Sequence, residues 1–233
     1  DRVMVGTQTP CGTCRECARG TPANCDVTWG MSAAQPFTWE GRPTYSFSNV
    51  SSFAGEIVVK TGQLFRTGDL PPEQAALIGC AVSTGYAAAR TLGRVQAGDR
   101  VAVIGAGGIG VNAVTGAALA GAQVLAVDLN PTKEGAAREA GASAFLVAAR
   151  AMDAAALAEA MRAAFAPIDT VIECSGAGVA AEAAILASKR GGRVVLIGQS
   201  GAGARASFDL NGVTMGTEAM LALPRHWAAA NDV

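Results

Sequence analysis

The stretch RVAVIGAGGIGVNAVTGAALAGAQVLAVDLN, residues 100–130, constrains the fold more tightly than any other part of the chain. Val101 to Ile104 is an unbroken apolar run, the signature of a strand buried on both faces of a parallel sheet. Gly105, Gly107, Gly108 and Gly110 follow, in the pattern G-x-G-x-x-G. In a strand–turn–helix unit the first glycine of that pattern allows the tight turn. The second lets the backbone approach a pyrophosphate, and the third lets the helix pack closely on the strand. The phosphates would rest on the helix N-terminus, where unpaired N–H groups and the helix dipole favour anions.

After the helix, QVLAVD ends on Asp128, eighteen residues beyond Gly110. A carboxylate there can accept hydrogen bonds from adenosine ribose hydroxyls and would repel a 2′-phosphate, which favours NAD over NADP. The plainer alternative is that Asp128 begins a turn before Asn130 and Pro131. Residues 101–127 contain no charged side chain, long enough for a membrane span. Six glycines, Asn112, Thr115, Gln123 and a change of apolar period favour a buried strand, a turn and a buried helix instead.

Helical periodicity in TKEGAAREAGA leads to the strand AFLV. AMDAAALAEAMRAAFA leads to DTVIEC, residues 169–174, and GVAAEAAILASKR to GGRVVLIG, residues 191–198. Strands alternating with helices at this rhythm predict an α/β domain with a doubly wound, Rossmann-type parallel sheet of at least five strands.

The second strong feature is CGTCRECARGTPANC, with Cys11, Cys14, Cys17 and Cys25 spaced C-x2-C-x2-C-x7-C. Four thiolates complete a tetrahedral zinc site and leave no open position for substrate, so such a site staples a loop. Paired disulfides are the alternative, disfavoured in a reducing compartment. The opening DRVMVGTQTPCG lacks the layout of a secretory signal, so a cytoplasmic protein is expected. A formal net charge of −1 gives no electrostatic footprint for nucleic acid or an anionic membrane.

In order and spacing, CGTCRECARGTPANC, SSFAGEIVV, IGCAVSTGYAAA, GDRVAVIGAGGIG, VDLN and RVVLIG resemble the zinc-dependent alcohol dehydrogenases of the medium-chain dehydrogenase/reductase superfamily, from Asp1 to about Thr214. The resemblance implies residues 1–82 as the C-terminal part of a GroES-like β-barrel catalytic domain with its zinc lobe, residues 83–222 as the NAD-binding domain, and 223–233 as an unassigned tail. It implies a structural zinc on Cys11, Cys14, Cys17 and Cys25, and Cys80 as one ligand of a catalytic zinc. Thr84 and Ile109 match residues beside the nicotinamide ring, and Lys133 a lysine contacting the adenosine ribose. From the residues alone Cys80 reads as a small buried hydrophobe, Ile109 as core and Lys133 as a solvated charge.

The implied activity is hydride transfer between an alcohol/aldehyde pair and NAD in a homo-oligomer, dimer or tetramer, with zinc acting as a Lewis acid on the alcohol oxygen. The resemblance also implies two further catalytic ligands, a cysteine and the histidine of a Gly-His-Glu motif, from an upstream segment this sequence does not contain. A catalytic zinc needs three protein ligands, so residues 1–233 are expected to be a fragment that turns over no alcohol by itself. The rivals are a zinc-independent quinone or enone reductase of the same superfamily and a non-catalytic NAD-binding subunit. Trp29, Phe37, Trp39 and Phe53 are expected either to line an aromatic pocket or to pack the barrel and its lobe. Cys174 is expected to pack beneath the sheet, and the lone histidine, His226, to lie on the surface.

Overall fold

The structure is a computed structural model that describes residues 1–28 and 37–208. Among them, residues up to Gly79 form one compact unit and those from Cys80 onward another. Trp29, His226 and the 223–233 tail lie outside the described residues.

The first unit is assembled from short pieces. Strand β1 (Val3–Val5) is followed by helix α1 (Arg15–Ala18), the hairpin strands β2 (Phe37–Trp39) and β3 (Arg42–Thr44), strand β4 (Leu64–Arg66) and helix α2 (Pro72–Leu77). β1 pairs antiparallel with β4, Val3 opposite Arg66 and Val5 opposite Leu64. Among the described residues, β2 and β3 pair only with each other. Gln63 is the buried clasp: its amide nitrogen donates to the Gly6 carbonyl at 2.9 Å and its Oε1 accepts from Lys60 N–H at 3.0 Å. Cys25 and Ala75 are the buried hydrophobic residues among the described part of this unit. The aromatics do not pack it: Phe37, Trp39 and Phe53 are exposed, Phe53 completely. Among the described residues, the two-stranded ribbon that carries Phe37 and Trp39 pairs with no further strand. Phe53 instead borders an open hollow of about 560 Å³ with Val3, Val5, Phe47 and Val50.

The second unit begins with helix α3 (Ser83–Ala87), then strand β5 (Arg100–Ile104), helix α4 (Gly108–Leu119), strand β6 (Gln123–Asp128), helix α5 (Glu134–Glu139) and strand β7 (Ala144–Val147). Helix α6 (Ala154–Phe165), strand β8 (Thr170–Glu173), helix α7 (Gly178–Ala187) and strand β9 (Arg193–Leu196) complete it. The five strands form one sheet in the order β7-β6-β5-β8-β9, parallel throughout. This is the doubly wound sheet that the alternation of elements predicts, with the order reversing at β5.

Side-chain alternation divides the core in two. Ala102, Ile104, Leu125 and Val127 face α6 and α7 through Leu157, Met161, Phe165 and Ala183. Val101, Val103, Val124 and Ala126 face α4 and α5 through Ala113, Val114, Ala117 and Ala137. Cys174 packs partly buried against that second cluster, as expected, and burial pushes its thiol well above the ordinary value. The uncharged stretch 101–127 is accounted for by β5, α4 and β6. No described helix is long and apolar enough to cross a membrane.

The amino edge of the sheet is tied by Asp169, which accepts from Arg100 N–H at 2.7 Å and pairs with Lys189. Burial opposes ionisation of Asp169, but the Lys189 ammonium and the Arg100 N–H outweigh it and hold the carboxyl below its ordinary value. A depressed folded pKa stabilises above the unfolded value, about 3.9, and the benefit is lost as pH falls through the folded value. Asp169→Asn should therefore lower stability by about 0.5–1 kcal/mol at pH 7, a figure that allows for solvent screening of a partly exposed pair, and by progressively less as pH falls through the lowered folded value. Urea unfolding followed from pH 7 into the acid range checks this, and a loss independent of pH contradicts it.

Candidate functional site

At the carboxyl end of β5 the chain turns at Gly105, whose φ is +94°. Gly105 N–H donates to the Val127 carbonyl at 2.7 Å. A Cβ at Gly105 would stand 3.1 Å from Ser175 N, and one at Gly110 only 1.7 Å from the Gly105 carbonyl oxygen. The helix therefore sits on the strand end only because both residues lack side chains. Gly107 caps α4 with an extended backbone, and a Cβ there would meet nothing within 4 Å. Gly108 would meet only Ala81, at an ordinary 3.8 Å. The first and third glycines are thus demanded by the fold, while the second faces open space at the helix start, as a backbone that must approach a phosphate would.

Asp128, at the end of β6, accepts from Ala106 N–H through Oδ2 and from Asn130 N–H through Oδ1, both at 2.8 Å. The carboxylate thus clamps the glycine turn and also begins the turn before Pro131, the plainer of the two alternatives left by the sequence. Asn130 caps the following turn, accepting from Thr132 N–H at 3.0 Å. Lys133 ends that turn, exposed.

On the other side of β5 the structure shows a residue that sequence reasoning missed. Glu173 closes β8 and is 2% exposed, its carboxylate folded back on Ser175 and Gly176. Burial pushes this carboxyl above its ordinary value, against the hydrogen bonds that pull it down. The only signal in the sequence is an acid ending the otherwise apolar strand TVIE.

Helix α3 lies directly on α4. A Cβ at Gly85 would stand 2.3 Å from the Ile109 carbonyl, and one at Gly116 would stand 3.2 Å from Ala89 Cβ and from Tyr86. This contact sets half-buried Thr84, next to Gly85, close to the turn that carries half-buried Ile109. Cys80 lies in the middle of a widened, π-type turn, Ile78–Val82, and is exposed rather than core. Such widened turns recur at functional sites.

Cys11, Cys14, Cys17 and Cys25 are brought together, with all four sulfurs within 4.8 Å of one another. Cys11 and Cys17 sulfurs are 4.0 Å apart, Cys14 and Cys25 sulfurs 3.9 Å. Tetrahedral zinc with bonds of about 2.3 Å needs sulfurs about 3.8 Å apart, whereas a disulfide needs about 2.05 Å. The spacing and donor set fit the metal. Backbone N–H groups of Thr13 and Cys14 point at Cys11 Sγ, at 3.4 and 3.3 Å, and that of Cys11 at Cys25 Sγ, at 3.4 Å. The Thr28 hydroxyl and the Cys11 N–H pull the Cys25 thiol down to about 5, while burial and the other sulfurs push Cys17 up to about 12. Four thiolates repel at this distance, and a divalent cation removes that conflict. Cys80 stands outside this cluster.

The sheet order and the glycine turn define a doubly wound, Rossmann-type domain. Residues 108–222 match the family described as zinc-binding dehydrogenase. An NDMA-dependent alcohol dehydrogenase from Amycolatopsis methanolica is 39% identical over 151 residues, 61% of this chain and 41% of that protein. Alcohol dehydrogenase-like 6 of Arabidopsis thaliana is 34% identical over 156 residues, 63% of this chain and 41% of that one. Among solved structures, an alcohol dehydrogenase zinc-binding domain protein from Burkholderia ambifaria superposes with a TM-score of 0.79 at 27% identity, covering 93% of this chain and 61% of its own. Benzyl alcohol dehydrogenase from Acinetobacter calcoaceticus shares the fold, with a TM-score of 0.78 at 24% identity over 92% of this chain and 60% of its own. The resemblance to zinc-type alcohol dehydrogenases of the medium-chain superfamily is borne out. The chain spans about two-fifths of the length of the curated relatives it matches.

Gly110→Ala should cost about 3 kcal/mol or more, the overpacking penalty against an immovable carbonyl. Gly107→Ala should cost about 1 kcal/mol or less, since only the cap preference is lost. Thermal unfolding of the two variants checks the distinction, and comparable losses would contradict it.

Proposed function

We infer that the chain is the coenzyme-binding part, with the structural metal lobe, of an NAD-linked oxidoreductase acting on an alcohol/aldehyde pair. The observation that supports this most is the glycine turn: an open, side-chain-free helix start at Gly107 and Gly108, flanked by the carboxylate of Asp128. In this reading the N–H groups at the start of α4 hold the pyrophosphate. Asp128 accepts from the adenosine ribose and discriminates against a 2′-phosphate, and Lys133 contacts that ribose. Ile109 and Thr84 border the ring, excluding water and restricting its orientation, which is the main contribution of a protein to cofactor chemistry. NAD supplies the hydride acceptor when bound.

Cys11, Cys14, Cys17 and Cys25 hold one structural zinc, which supplies no chemistry and fixes the loop. Cys80 contributes one thiolate toward a catalytic zinc, a Lewis acid for the alcohol oxygen. A single thiolate is short of the three protein ligands such a site requires. Residues 1–233 alone therefore bind one zinc and NAD and turn over no alcohol. Zinc–thiolate chemistry requires reduced cysteines, which supports a cytoplasmic protein. A homo-oligomer, dimer or tetramer, follows from the family resemblance.

Metal analysis of purified residues 1–233 should give one zinc per chain, and NADH fluorescence titration should give binding with NADPH weaker. Asp128→Ala should weaken NADH by about tenfold, the effect of losing charge-assisted hydrogen bonds, and should narrow the gap to NADPH. A zinc-free protein, no NADH binding, or turnover of alcohol by these residues alone would each overturn the corresponding part of the reading.

A further inference from the structure

Glu173 is the one acidic or basic residue in the buried class among the described residues, and the coenzyme reading above makes no use of it. Its Oε1 accepts from Ser175 N–H at 2.6 Å, from the Ser175 hydroxyl at 2.5 Å and from Gly176 N–H at 3.0 Å. Oε2 accepts from Gly176 N–H at 3.2 Å. The backbone carbonyl of the same residue accepts from Ile197 and Gly198 N–H at 2.9 and 3.0 Å. A Cβ at Gly198 would lie 2.6 Å from Oε2, and one at Gly176 would lie 2.2 Å from the Gln199 carbonyl. The Ser200 hydroxyl closes the ring by donating to the Gly176 carbonyl at 2.8 Å. Ser175 N, one of the carboxylate's donors, is also the atom that a Cβ at Gly105 would meet at 3.1 Å. The connections leaving β5, β8 and β9 are therefore stacked around one carboxylate.

These partners are neutral donors, so the buried carboxylate is solvated by loop backbone and the Ser175 hydroxyl, an arrangement costly to desolvate. A turn that needed only to be closed could use a neutral acceptor. The location gives the charge a use. In a doubly wound sheet, ligands bind outside the carboxyl ends of the strands where the order reverses, and here that point lies between β5 and β8. Asp128, at the end of β6, flanks the glycine turn on one side, and the loop held by Glu173 flanks it on the other. If the adenosine ribose is held at Asp128, the remaining half of the dinucleotide crosses β5 onto that loop.

We propose that Glu173 is a positioning residue for the nicotinamide-bearing half of the coenzyme, its carboxylate shaping residues 174–178 and 197–200 into the wall that half rests on. The proposal rests on the NAD reading. Glu173→Gln keeps the size of the side chain but replaces one acceptor with a donor facing N–H groups. Losing hydrogen bonds to a charged group should weaken NADH by about tenfold, and Ser175→Ala should weaken it by about threefold, since one of the donors is lost.

The test titrates the full 233-residue chain and both variants with NADH and, separately, with ADP, which lacks both the nicotinamide and the ribose that carries it. The expected result is weaker NADH binding with ADP binding unchanged within about twofold, a split that general loosening of the fold would not produce. Equal weakening of both ligands, or no weakening of NADH, overturns the proposal. If wild type binds ADP but gains nothing from the nicotinamide half, the proposal fails and the coenzyme site stands. If wild type binds neither ligand, the NAD reading itself fails and takes the proposal with it. Should Glu173→Gln not fold, Ser175→Ala decides by the same split.

Discussion

Gly110 meets the Gly105 carbonyl so closely that a Cβ would be 1.7 Å from the oxygen. This contact fixes the first turn of α4 against the end of β5, and other features follow from it. Because α4 is seated there, Gly85 and Gly116 can bring α3 onto it, placing Thr84 beside the turn of Ile109. Because the strand end is left uncovered on its outer side, Gly107 faces open space. Asp128 and the loop after Glu173 then frame the opening from the two neighbouring strands. The same contact explains why glycine is needed at 105 and 110, whereas a Cβ at Gly108 would meet only Ala81 at 3.8 Å.

The two units hold together by different means. The second has a conventional core, two apolar clusters on opposite faces of a parallel sheet. The first buries only Cys25, Ala75, Ser46 and Gln63 among its described residues, far too little apolar area to offset the entropy of ordering a chain of this length. Small domains in that position rely on disulfides or a metal. The four sulfurs gathered within 4.8 Å are thus the main candidate for ordering the lobe, which answers why a chain with six cysteines places four of them in fifteen positions.

Much of this was legible in the sequence. Unbroken apolar runs located β5, β6 and β8 because strands buried on both faces leave no alternation to confuse with a helix. The strand AFLV was located to the residue, as Ala144–Val147. The helix read over residues 132–142 proved to be a tight turn at Pro131–Lys133 followed by α5, since Asn130 caps the turn instead of the helix. The cysteine spacing specified its cluster because ligands close in sequence need only local turns. Glu173 was illegible for the opposite reason: its burial depends on Gly176, Gly198 and Gly105, which meet only in three dimensions. Phe37 and Trp39 misled because a side chain that is usually core stays exposed on a ribbon that, among the described residues, pairs with no further strand.

The account centres on a dinucleotide lying across residues 105–110. A crystal structure of residues 1–233 grown with saturating NAD tests it most directly. The prediction is pyrophosphate oxygens at hydrogen-bonding distance, about 3 Å, from backbone N–H groups between Gly107 and Ile109, with the ribose at Asp128. A coenzyme bound anywhere else, or an empty turn in such crystals, would contradict it.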